Sequence, residues 1–138
     1  LSYKPSQVLA IEISDSYRKS LKNKFENQNV VILANDAKKL NNVVPDSSVD
    51  KLLAVNVVYF LEPLESYVKE FHRIIKKDGE GIIACKFNGV ASFDDSVAVN
   101  KDIDFVTSSF EKGGFSISHI NVDLGNDFSK YTAISIKK

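Results

Sequence analysis

Val8-Leu9-Ala10-Ile11-Glu12-Ile13-Ser14 is the stretch on which the reading of this chain turns. An apolar run reaches a single carboxylate and then a serine suited to cap a helix. A lone charge inside an apolar strand is costly, so the acid is expected at the strand's tip, facing polar surroundings or a ligand. The run predicts a strand over 8–13, and Tyr17, Leu21 and Phe25 at every fourth position predict a helix from Asp15 to Glu26.

Working outward, strands and helices continue to alternate. Asn29 to Leu33 reads as a short buried strand, left through the turn Asn35-Asp36-Ala37. Val49 to Val55 is the next strand, apolar enough to be covered on both faces. Pro63 opens the strongest helix, with Leu64, Tyr67, Val68, Phe71, Ile74 and Ile75 in one stripe. Lys76 and Lys77 are expected in its last turn and Gly79 at its left-handed stop. Gly81 to Phe87 follows as a strand, and Asn88-Gly89 begins a loop carrying Asp94 and Asp95. A third helix is predicted with Val99, Ile103, Val106 and Phe110 on one face, ending at Gly113-Gly114. The last two strands, Phe115 to Val122 and Tyr131 to Ile136, are joined by a connection too short for a crossover helix, so they must pair antiparallel.

Composition narrows the function classes. With 138 residues and 43% hydrophobic content the chain can bury a core, and it reads as a single domain over residues 1–138. Eighteen basic residues balance eighteen acidic ones, which gives no footprint for nucleic acid or an anionic membrane. No apolar run approaches the roughly 20 residues of a membrane span, and no signal-peptide pattern opens the chain. The single cysteine, Cys85, lies in an apolar segment and reads as a buried thiol of a cytoplasmic protein. Two histidines and one cysteine offer no metal-ligand spacing. His72 is expected to be solvated on its helix, and His119 lies within the penultimate strand. The absence of methionine reads as a segment of a longer product.

An acid at a strand tip before a helix start is also how nucleotide-binding α/β folds hold the hydroxyls of a ribose, and Glu12 stands at such a place. Its alternative is a partner for the helix N-terminus. Asp36 reads equally as a turn aspartate, and Asn56 and Tyr59 as a strand cap and a core tyrosine.

The order of pieces resembles the class I S-adenosylmethionine-dependent methyltransferases of the small-molecule type. Val8 to Ser14 is similar to that family's second strand with its ribose acid, and Asn35-Asp36-Ala37 to the turn that meets adenine. Pro45-Asp46-Ser47-Ser48-Val49-Asp50 resembles the approach to the fourth strand, and Asn56-Val57-Val58-Tyr59-Phe60 the segment lining the sulfonium end. Arg73 to Glu80 looks like the family's "R-x-L-K-P-G-G" turn, with Lys77 and Asp78 departing from it, and Gly113-Gly114-Phe115 echoes the entry to the sixth strand.

The resemblance implies a Rossmann-like α/β fold, a mostly parallel sheet with a C-terminal antiparallel strand, and S-adenosylmethionine as cofactor. It implies cofactor contacts from Glu12, Ile13, Asp36, Ala37 and Asn56, and substrate contacts from Tyr59 and Asn88; no catalytic residue and no metal are assigned. The family's first strand and glycine-rich loop have no counterpart from Leu1 onward, roughly 30 residues on the scale of such a unit. The 138-residue chain is therefore expected to bind the cofactor at millimolar affinity or not at all, and to expose strand edges prone to self-association. The expected activity is methyl transfer to a small-molecule acceptor as part of a longer protein. The rivals are a non-catalytic remnant of the fold acting as a binding module, and a nicotinamide oxidoreductase, which has no need of the final hairpin.

Overall fold

A computed structural model of the chain describes residues 4–26, 28–123, 125 and 130–138. They form two compact units, Leu1–Leu40 and Asn41–Lys138.

The first unit contains β1 (Val8–Ile11), α1 (Asp15–Lys24) and β2 (Val30–Leu33). β1 and β2 pair parallel, from Val8 opposite Val30 to Ile11 opposite Leu33. The strand ends at Ile11, two residues short of the expected Ile13. The Arg18 guanidinium, reaching back from α1, takes the carbonyls of Glu12 at 2.9 Å and Ile13 at 2.6 Å and turns the chain out of the ladder. Ser14 stands at the N-cap, but its hydroxyl meets Ser16 Oγ and caps no backbone N–H.

The second unit contains β3 (Val49–Val55), a 3-10 turn at Val58–Phe60, α2 (Leu64–Ile74), β4 (Ile75–Cys85), a short α3 (Phe87–Val90), α4 (Ile103–Lys112), β5 (Ser116–Asp123) and β6 (Lys130–Lys137). Its four strands run in the order β3-β4-β6-β5. β3 and β4 are parallel, and β6 is antiparallel to both of its neighbours, as the short final connection requires. Leu124, Asn126 and Asp127 of that connection lie outside the described residues.

One face of this sheet is packed. Ile83 and Ile134 are register partners and both buried, and Val68, Phe71, Val106, Phe110 and Phe115 are buried with them in the same unit. Phe110 lies between two rings, 6.5 Å from Phe71 and 5.9 Å from Phe115 by centroid. α2 and α4 close together at Gly113, where an added Cβ would stand 2.2 Å from Val68 Cγ1, so only glycine fits. The other face leaves Leu53 72% and Ile82 47% exposed.

Three expectations are corrected here. α2 stops at Ile74, so Lys76 and Lys77 belong to β4 rather than to a last helical turn. Helix-end carbonyls need donors. Ser47 N–H and Ser48 N–H supply Arg73 O and Ile74 O at 2.9 and 2.8 Å, while Lys138 Nζ reaches His72 O and Ile75 O. The left-handed residue of the turn is Asp78, at φ 64°, not Gly79. Gly79 is required by close approach instead, since a Cβ there would meet Ile75 Cγ2 at 2.7 Å. The third predicted helix starts at Ile103, capped by the Asp102 carboxylate accepting from Asp104 N–H and Phe105 N–H. Val99 lies outside it, its N–H bonded to Tyr59 O.

Arg73 joins two stretches that the sequence offers separately. Its guanidinium donates to both Glu70 carboxylate oxygens, to Val44 O and to Asp46. The Pro45–Asp50 approach and the Arg73–Glu80 turn are thus one structural feature.

Candidate functional site

In the first unit the predicted residues lie past the C-terminal ends of a paired parallel ladder. Glu12 N–H donates to Leu33 O at 3.1 Å, continuing the β1·β2 register by one residue. Glu12 Oε1 accepts from Ser14 N–H at 2.7 Å, so the helix-start role of this acid is realised. A carboxylate offers about four accepting positions, and one bond leaves capacity for a diol. Ile13 is exposed beside it. After β2, Asp36 makes the turn that carries Ala37: its Oδ1 accepts from Lys38 N–H at 3.1 Å, its carbonyl from Lys39 N–H, and Lys38 Nζ stands 3.7 Å from Oδ2.

In the second unit a polar cluster stands where β3 and β4 end and β6 begins. Asn56 follows β3 directly in the left-handed conformation, φ 55°, a position that Asn tolerates better than most residues. Its N–H is held by Ala84 O at 2.8 Å. Tyr59 Oη donates to Asn56 Oδ1 at 3.3 Å and accepts from Lys86 N–H.

Tyr59, expected to face substrate, is 2% exposed and packs edge-on against Phe60 and Phe87. Burial pushes its phenol up to about 12. It is a core residue whose hydroxyl fastens Asn56 and the Lys86 backbone. Cys85, also buried, is pushed up to about 12 by the same loss of solvent, which makes it a poor nucleophile at neutral pH.

Tyr131 and Lys86 complete the cluster. Lys86 Nζ lies 4.5 Å from the centre of the Tyr131 ring. Hydrogen bonds from Lys86 and then Asn56 hold the Tyr131 phenol below its ordinary range. With Oδ1 engaged by Tyr59, Asn56 presents its amide N–H to Tyr131. A cavity of about 310 Å³ opens beside them, its walls including Cys85, Phe87, Asn88, Asp123, Tyr131 and Thr132. Asn88 belongs to α3, where the sequence reading expected a loop.

Comparison with known proteins adds the family. The profile of the methyltransferase domain matches residues 1–83, more than half of the chain. The chain belongs to the methyltransferase domain family. Among curated proteins no sequence matches it. Among solved structures, this methyltransferase domain is similar to an S-adenosylmethionine-dependent methyltransferase from Mesorhizobium loti, at 11% identity and TM-score 0.76, over 96% of this chain and 81% of that one. A Haloferax volcanii putative methyltransferase in complex with the Trm112 activator matches at 12% identity and TM-score 0.76, over 95% and 71%. The N-methyltransferase NodS from Bradyrhizobium japonicum, in complex with S-adenosyl-L-homocysteine, matches at 9% and TM-score 0.74, over 96% and 66%. At these identities the likeness establishes the fold.

Sequence reasoning missed Lys86 and Tyr131 in this methyltransferase domain. Each closes or opens an apolar strand, as many surface residues do. Only the antiparallel pairing of β4 with β6, Cys85 opposite Thr132, brings them together. Among the described residues no three metal-ligating side chains gather, and no helix is long and apolar enough to cross a membrane. His72, expected to be solvated, is half-buried. Its ring packs edge-on against Phe115 at 5.2 Å, and burial followed by the Lys138 charge lowers its pKa.

Proposed function

We propose that this methyltransferase domain transfers a methyl group from S-adenosylmethionine to a small-molecule acceptor, as part of a longer protein acting in the cytoplasm. The observation that carries the reading is the polar cluster of Asn56, Lys86 and Tyr131 at the carboxyl ends of the parallel pair β3·β4. Open α/β sheets bind ligands at that edge. The adjoining cavity of about 310 Å³ has the volume of a small-molecule site and a few convergent polar groups.

The residues present fit parts of the cofactor. In the first unit, Glu12 and Ile13 would hold the ribose, with the carboxylate accepting from its diol, and Asp36 and Ala37 would meet adenine. In the second unit, Asn56 would face the methyl donor, Tyr59 would hold Asn56 in place, and Asn88 would contact the acceptor. When bound, S-adenosylmethionine supplies an activated methyl group whose leaving sulfur departs neutral. The protein's task is then to align the acceptor and keep water out, and to take a proton where the acceptor arrives with one. Among the described residues β1 and β3 are edge strands, and Leu9 and Leu53 exposed on them support self-association as a secondary property.

An NMR titration of the 138-residue chain with S-adenosylhomocysteine tests the reading. Binding at millimolar affinity or none is expected, and any shifts should fall on the Glu12, Asp36 and Asn56 resonances. Glu12→Gln should keep the fold and weaken that binding by about 1.5–3 kcal/mol, the worth of a charge-assisted hydrogen bond. Unchanged affinity would return Glu12 to its helix-start role alone. Binding without transfer in any longer form of the protein would favour the non-catalytic module.

A further inference from the structure

We infer that Tyr131, held by Lys86 and Asn56, is the group that takes the proton from the methyl acceptor, and that the acceptor is a small hydroxyl compound. The inference rests on the methyl-transfer reading and adds to it a base and a substrate class.

Position comes first. Tyr131 lies at the start of β6, opposite Val122 of β5 and next to Thr132, which pairs with Cys85 at the end of β4. It lines the cavity of about 310 Å³ together with Asn88 and Asp123. A base has to be within hydrogen-bond reach of the proton it removes, and a partly exposed phenol on the cavity wall meets that need.

Chemistry comes second. Lys86 Nζ lies 4.5 Å from the centre of the Tyr131 ring, and Lys86, then Asn56, lower the phenol's pKa, which favours its deprotonated form. The other titratable groups here are unsuited to the task. Tyr59 and Cys85 are buried and hold their protons to about 12. Asp123 Oδ1 accepts from Gly125 N–H at 2.9 Å, and a carboxylate is a far weaker base than a phenolate. Lys130, on the same wall, is a cation. A hydroxyl acceptor needs a base, because it is a poor nucleophile while protonated.

The step balances. The acceptor oxygen bonds to the methyl carbon, the carbon–sulfur bond breaks with its electron pair going to sulfur, and the hydroxyl proton passes to the Tyr131 phenolate. Lys86 acts through Tyr131 and is a positioning residue.

The test is an absorbance titration of the phenols at 295 nm in the intact chain. One tyrosine should titrate before the rest. It should vanish in Tyr131→Phe, move up at least tenfold in proton affinity in Lys86→Met, and stay early in Lys86→Arg, which preserves the charge. A Tyr131 that titrates with the other tyrosines, or that Lys86→Met leaves in place, overturns the inference.

Phenol and anisole serve as NMR probes of the acceptor class. Phenol should shift the Tyr131 and Asn88 resonances with at least tenfold higher affinity than anisole, which has no proton to give. Equal affinities, or no shift with phenol, remove the hydroxyl assignment. The phenol titration is independent of the cofactor. A late Tyr131 sinks this inference alone, while an early Tyr131 in a longer form of the protein that transfers no methyl group counts against the methyl-transfer reading.

Discussion

The two units of this chain carry similar motifs on unequal foundations. Residues 41–138 hold every buried hydrophobic side chain among the described residues except Leu40. Residues 1–40 hold the strand-tip acid and the turn aspartate, yet α1 has no buried residue and its two strands are at best half-buried. Both units begin strand-helix-strand. The difference lies in what the ladder is attached to. β4 pairs on both edges and its unit has two long helices, whereas among the described residues β1 and β2 pair with each other alone. A two-stranded ladder is marginal by itself, since it cannot bury enough apolar surface to offset the ordering of its chain.

The comparison breaks most visibly under truncation of aromatic residues. Phe110→Ala, at a position with 0% exposure between two rings, should cost about 3–5 kcal/mol. Tyr17→Ala on α1, 66% exposed, should stay within about 0.5 kcal/mol. Urea unfolding of both variants measures this, and comparable losses would show that the first unit has a core of its own.

A smaller effect sharpens the account of the second unit. Arg73→Ala removes a donor shared by the Glu70 carboxylate and Val44 O and should cost about 1–3 kcal/mol in the same assay. Arg73→Lys should recover only part, because one ammonium cannot replace a fork that reaches Glu70, Asp46 and Val44 together. Full recovery would mean that charge alone, not the fork, joins the two stretches.

The gentlest probe is alkaline pH. Tyr59 and Cys85 keep their protons in the folded state to about 12, above their ordinary values of 10.0 and 9.0. Both groups sit in the second unit, and both shifts have the same sign. Their contribution is complete below pH 9 and falls as pH rises toward 12, because the unfolded chain loses these protons first. The melting temperature should decline over that window, and less steeply in Tyr59→Phe. A Tyr59→Phe profile parallel to wild type would remove Tyr59 from the explanation.

Much of this was legible in the residues themselves. Periodicity placed the α2 stripe of Leu64, Tyr67, Val68, Phe71 and Ile74, and all five are buried. The short connection before Lys130 dictated an antiparallel final strand. Element ends were less legible, because long-range bonds set them: Arg18 ends β1, and the Ser47–Ser48 turn with Lys138 ends α2. Tyr59 illustrates the same limit in the site, since an aromatic residue after a strand reads equally as pocket wall or core.

The sequence by itself determined the alternation of elements, the antiparallel ending and the strand-tip places of Glu12, Asp36 and Asn56, because hydrophobic period and connection length are local properties of the chain. Only the tertiary structure decided that Lys86 and Tyr131 meet and that Arg73 ties Asp46 to Glu70. Those partners are 45, 27 and 3 residues apart, and no local rule couples the first two distances. They meet because strand register and helix packing bring the parts together, and both depend on the whole core of residues 41–138.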